Sequence, residues 1–356
     1  MNKLVLIPII IGGVLLTAGA VALGIGLSTA VKEEKVTNTY ELNEEFNNFD
    51  FDLSTAMTEF KVSEDSSKKV IIDEIENYQH TVTVSENTLK IVHSNERQRW
   101  FEGMFGFNNF KIKVTVYLPA GTYGELKYKG ATGDVVIPAD YAFDSANIKV
   151  STGDVHFNGV VANTFKCEVS TGDVTLNGVK AKDMNLKSST GYYILNNVEV
   201  ETSIVADQDT GNLTLKNCKA QNLDLKTSTG RKTLENVEVE EKINLKASTG
   251  DTVINDVKCK NFESNSSTGD VKLTNLLVNE HIEIKTSTGD VDFLNSDAAT
   301  LHIKTGTGHV KGNLLTDHVF YATCDTGTPK VPHSTTGGLC EIETDTGSIN
   351  ITVGAK

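Results

Sequence analysis

Arginine is almost missing from this chain of 356 residues: only Arg97, Arg99 and Arg231 occur, and 47 acidic side chains against 33 basic ones leave a formal net charge of −14. Phosphate binding needs a basic face, so nucleic acid is not an expected partner. Anionic lipids and teichoic-type polymers are disfavoured for the same reason unless a cation bridges them. Cysteine is scarce as well, with Cys167, Cys218, Cys259, Cys324 and Cys340 the only five. No CxxC pair or Cys/His cluster with zinc spacing occurs. Cys324 and Cys340 differ by four residues in their distance from the glycine that ends each repeat, about 13 Å along a strand. A disulfide needs Cα atoms within about 7 Å, so buried small hydrophobes are the expected role of these thiols. Also lacking is the unrepeated group of acids, or of acid with Arg or Lys, that a polysaccharide lyase or hydrolase converges on one groove. The histidines, such as His156, His281, His302 and His309, are dispersed with no Ser or Cys partner nearby. The chain is therefore expected to be no enzyme and to need no cofactor.

Charge is absent altogether from Leu4 to Val31, 28 residues, more than the roughly 20 that cross a bilayer as a helix. Residues 1–31 are expected to form a transmembrane signal anchor, with residues 4–31 in the cell membrane. Lys3 precedes the segment and Lys32-Glu33-Glu34-Lys35 follows it, a weak bias toward a cytoplasmic N-terminus, a single pass and an extracellular body. A cleavable signal peptide ending near Ser28-Thr29-Ala30 is the competing reading, although its apolar region would far exceed the usual length.

What the chain has in abundance is one dipeptide. Twelve Thr-Gly pairs recur in register, with glycines at 133, 153, 172, 191, 211, 230, 250, 269, 289, 308, 327 and 347, and every interval is 19 or 20 residues. So short a period means one coil of backbone stacked on the next. In Asn147 to Val161, Ile148 and Val150 alternate with Lys149 and Ser151, and Val155 and Phe157 alternate with Asp154 and His156. Two short strands, each apolar on one face, flank a Thr-Gly corner. A second corner, at Asn177-Gly178 or Asn217-Cys218, carries residues that tolerate left-handed torsions. The expected fold is all-β: a single-stranded parallel β-helix (β-solenoid) of about twelve coils over residues 126–356. At about 4.8 Å per coil it would be a rod on the order of 60 Å long. Residues 32–125 lack the period but alternate in the same manner, and read as an irregular β region that caps the first coil. The last strand, Ser348 to Val353, is expected to leave an open edge that invites self-association.

A membrane span, an irregular β region ending in Val-Tyr-Leu-Pro (Val116 to Pro119), and coils bearing Ser-Thr-Gly-Asp-Val resemble the bacterial putative-adhesin family, a domain family of unknown function. The coils concerned include Ser151 to Val155, Ser170 to Val174, Ser267 to Val271 and Ser287 to Val291. Some members look like membrane-anchored proteins associated with envelope stress in Gram-positive bacteria. The resemblance implies a non-catalytic β-helix at the cell surface, with an unidentified protein or envelope partner; a self-assembling structural solenoid is the alternative. Two groups of residues are candidates for binding. The aspartates after the glycine, Asp134, Asp154, Asp173, Asp251, Asp270 and Asp290, would stack about 5 Å apart, a weak calcium possibility against the plainer reading of structural turns, in which an Asp beside a Gly accepts hydrogen bonds from the turn's own amides. The aromatic loop holding Trp100, Phe101, Met104, Phe105, Phe107 and Phe110 is either a plug over the first coil or a contact for membrane or partner.

Overall fold

A computed structural model of the chain describes residues 35–75, 79–93 and 112–354. The expected anchor (1–31) and the aromatic loop lie outside the described residues; among those described, no helix is long and apolar enough to cross a membrane. All the regular structure described is β, and each coil follows the alternation of its sequence. Ile148, Val150, Val155 and Phe157 are buried while Lys149, Ser151 and His156 face outward. Neighbouring coils pair parallel and in register, Ile148 beside Cys167 and Val155 beside Val174. The inward residues thus form continuous columns down one core.

The Thr-Gly corners need glycine twice over. All twelve glycines adopt φ between +129° and +159°, where side-chain-bearing residues are strained. A Cβ on Gly153 would also run into the carbonyl of Gly133, and one on Gly172 into that of Gly153. At the second corner Gly178, Asn197, Asn217, Asn236, Asp256, Asn275 and Asn295 take φ between +49° and +67°. There the amides stack: Asn217 Nδ2 donates to Asn197 Oδ1 at 3.1 Å and Asn236 Nδ2 to Asn217 Oδ1 at 2.8 Å. The five cysteines are free, four of them buried. Burial pushes the thiols of Cys167, Cys259 and Cys340 up to about 12, which leaves them protonated and unreactive near neutral pH.

The ends depart from a simple spiral. Lys35–Glu41 pairs antiparallel with Lys69–Ile75, which pairs antiparallel with Lys113–Leu118. His80–Ser85 forms a hairpin with Thr88–His93, turned by Glu86 and Asn87, both at positive φ. Asn48–Thr55, early in sequence, is no terminal rung: it lies between Thr88–His93 and Gly121–Thr132. The far end repeats the device. Gly338–Thr346 inserts between Thr300–Thr307 and His318–Thr326. Ile349–Val353 likewise inserts between Val310–Leu314 and Pro329–Lys330. The expectation of an open edge at the last strand is therefore corrected. That strand is an interior rung, and the last coil of the stack is 318–330.

Proline explains the exchange. Two residues after the glycine, the backbone N–H of each coil donates to the next: Val291 to His309 O at 2.8 Å, Val310 to Ser348 O at 3.0 Å. In the terminal coil that position is Pro329. It has no N–H to leave unpaired, so this coil suits the end and serves poorly inside.

Candidate functional site

The six aspartates fall into two runs of three on the glycine corner, and each run is a hydrogen-bond ladder. Asp134 Oδ1 accepts the N–H of Asp154 at 2.9 Å, Asp154 that of Asp173 at 2.8 Å, and Asp173 that of Tyr192 at 2.8 Å. In the second run Asp251 serves Asp270 at 3.2 Å, Asp270 serves Asp290 at 3.0 Å, and Asp290 serves His309 at 2.8 Å. The acceptor satisfies an amide of the neighbouring coil, whereas the sequence reading placed that bond within the turn itself. Asn212 performs the same task for Arg231 N–H at 2.9 Å, so the role does not require a charge. His309 also takes it over, its Nδ1 accepting the N–H of Ser348 at 3.0 Å. Between the runs Arg231 pairs with Asp251 at 2.9 Å. Burial raises the Asp251 carboxyl, but the Asp270 amide and the Arg231 guanidinium outweigh it and hold it below the usual range. Among the described residues no group of three or more His, Cys, Asp or Glu side chains converges as a metal site.

The outer faces are ion-paired from coil to coil, as in Lys180–Glu199 at 3.0 Å, Lys219–Glu238 at 3.3 Å and Lys304–Glu343 at 2.8 Å. Such exposed pairs contribute little to stability, and they leave a surface of alternating sign. A groove of about 710 Å³ between them runs along the Glu199, Lys219, Glu238 and Lys258 column. It is shallow and repeats the coil pattern, so it offers no unrepeated polar constellation.

Among the described residues, buried ionisable side chains at three places were not picked out from the sequence. Lys232 is 1% exposed at a position where other coils place Val155, Val174 or Leu213. Its Nζ lies 3.4 Å from Thr227 Oγ1, and burial pushes the ammonium down to about 8, with Asp251 opposing. Its register after Gly230 was the available signal. At the first end Glu74 Oε2 meets His80 Nδ1 at 2.8 Å, both side chains fully buried, and Asn38 Nδ2 donates to Glu74 Oε1 at 2.7 Å. Glu74 shares the inward parity of Val70 and Ile72, which made it legible. At the other end His318 Nε2 meets Asp297 Oδ1 at 2.7 Å, and Thr316 donates both its N–H and its hydroxyl to Oδ2. Burial raises the Asp297 carboxyl, but the His318 and Thr316 hydrogen bonds hold it below the usual range. These pairs fasten the two ends of the rod. Trp100, Phe101, Met104, Phe105, Phe107 and Phe110 lie outside the described residues; the flanking strands, Thr88–His93 and Lys113–Leu118, belong to the first end.

The profile of the Toastrack DUF4097 family matches residues 46–230 and 202–352. No curated protein matches the chain. Similar solved structures include one described as a putative adhesin from Bacteroides fragilis, at 15% identity and TM-score 0.25, covering 90% of this chain and 97% of that one. A putative adhesin from Parabacteroides distasonis shows 9% identity and TM-score 0.34, covering 90% and 98%. A putative lipid binding protein from the same species shows 15% identity and TM-score 0.29, covering 89% and 96%.

Proposed function

The chain belongs to the Toastrack DUF4097 family, and from that premise we propose that it is a non-catalytic rod displayed outside the cell, anchored by residues 4–31. The observation that carries this reading is where the described acids go. Each of these corner carboxylates gives one oxygen to the amide of the neighbouring coil, and face acids such as Glu199, Glu238 and Glu343 pair with lysines of adjacent coils. Binding is assigned to the ends of the rod. The described chain enters at Lys35, in the same end that bears the strands flanking the aromatic loop. Trp100, Phe101, Met104, Phe105, Phe107 and Phe110 are accordingly assigned to contact with the membrane or an envelope partner there. The opposite end projects away from the anchor. A filament built by continuing the coils finds less support, because the first end is covered by antiparallel strands rather than a coil ready to accept another.

The test is display. Cells making the full chain with an epitope after Lys356 should expose that epitope without permeabilisation, and the protein should stay with washed membranes. An epitope reached only after lysis overturns the reading. Replacing Trp100, Phe101 and Phe105 together by Ser should weaken envelope contact while leaving thermal unfolding unchanged; unaltered contact overturns the assignment of the loop.

A further inference from the structure

The coil that ends the stack is unevenly protected. Its second half carries Pro329 and Pro332, which blunt an edge. Its first half, His318–Thr326, is a nine-residue strand with no proline, lysine or arginine. Among the described residues it pairs on one side only, with Gly338–Thr346. The side chains agree with the backbone. Phe320, Ala322 and Cys324 extend the core columns but remain only partly buried, so the core is incompletely covered at this end. On the outer face Tyr321 is 63% exposed and Leu339 45% exposed.

We propose that this strand pairs antiparallel with the same strand of a second copy, two-fold about Ala322, so that two rods join tip to tip. The proposal rests on the surface-displayed reading above and names one partner for it. Antiparallel pairing puts residues of equal parity opposite each other only when the dyad passes through a residue. The dyad at Ala322 alone keeps all nine residues paired. It sets Phe320 against Cys324 of the second copy, closing the open core of both rods. It brings the two Tyr321 rings into diagonal reach on the outer face. Charge permits the contact. Asp325 is the one carboxylate of the strand and falls opposite Val319, while His318 is occupied by Asp297. The remaining negative charge is spread along two rods that meet only at their ends. An isologous contact closes on itself as a dimer. Because the chain enters at the opposite end, the two anchors point apart, as they do when the copies stand on facing membranes.

The full chain, reconstituted in two vesicle populations with different epitopes, tests this. Vesicles should cluster, and Ala322→Cys under mild oxidation should yield a disulfide between the two epitopes. Tyr321→Lys, at a largely exposed position, should reduce both clustering and cross-linking at least tenfold; Thr323→Lys, its partner across the dyad, should do the same. Clustering that persists in both lysine variants, with no cross-link between epitopes, overturns tip pairing and leaves display at the surface untouched. Absence of clustering and of cross-linking in the wild-type background also overturns it, whereas the display experiment reports separately on the premise.

Discussion

Between Tyr141 and Leu314 each coil rests on the coil before it in sequence, and at either end that order is exchanged. The difference separates two questions. Local pattern decides what one coil looks like: alternation buries one face of each strand, glycine makes one corner, and asparagine makes the other. It does not decide which coil lies on which, because every Thr-Gly coil offers the same columns to its neighbours. Placement at the ends is settled by what an end requires. Rungs with a full set of amide donors go inside, and the coil with Pro329 stays outside.

The same substitution made in both regions should break the comparison most sharply. Gly250→Val, mid-rod at φ +135° with the Gly230 carbonyl in the way of any Cβ, should cost at least about 4 kcal/mol and unfold neighbouring coils together. Gly327→Val has a similar φ, also +135°, but sits in the terminal coil. It should loosen that coil alone and lower global stability by about 1 kcal/mol or less. Denaturant unfolding of the two variants, with limited proteolysis at the tip, measures the contrast. Equal losses would mean that the rod unfolds as one unit.

Lys232 marks the least regular point of the middle. Its folded value of about 8 lies below the ordinary 10.5, so the folded state binds this proton less tightly than the unfolded chain. Stability should therefore rise with pH between about 8 and 10.5, by about 3 kcal/mol for this group. Lys232→Met should stabilise the protein by about 2–3 kcal/mol at pH 7, and the gain should shrink toward zero above pH 10.5. Chemical denaturation at both pH values checks this, and a gain independent of pH would place the benefit in packing instead.

The smallest expected effect concerns the corner ladder. Asp154→Ala removes the acceptor of the Asp173 N–H and should cost about 1 kcal/mol, while Asp154→Asn should be near neutral, as Asn212 already shows by serving Arg231. A large loss in the Asn variant, measured by thermal unfolding with and without calcium, would give the charge a role beyond the turn.

Much of the coil was legible in the sequence. The glycine period, the buried parity of Ile148 and Phe157, the left-handed Asn217 corner and the unpaired registers of Cys324 and Cys340 all follow from spacing. The ladder was half legible: aspartate beside glycine signals an acceptor, but that the donor belongs to the next coil depends on stacking. Lys232, Glu74 and His318 are polar residues at inward positions, where the apolar pattern of their neighbours draws attention away from them. The exchanged rungs were hidden because identical columns permit several stackings. Pro329 held the clue, and it is informative only once the direction of the inter-coil N–H bonds is known.

Engineered disulfides test the exchanged order most directly. His302, Glu341 and Tyr321 occupy one outward column, with Glu341 between the other two. His302→Cys with Glu341→Cys should cross-link readily, since adjacent parallel strands lie about 4.8 Å apart. His302→Cys with Tyr321→Cys, two rungs and about 10 Å apart, should not. Cross-linking of the second pair and not the first would mean that the coils stack in sequence order, and the account of the ends would fail.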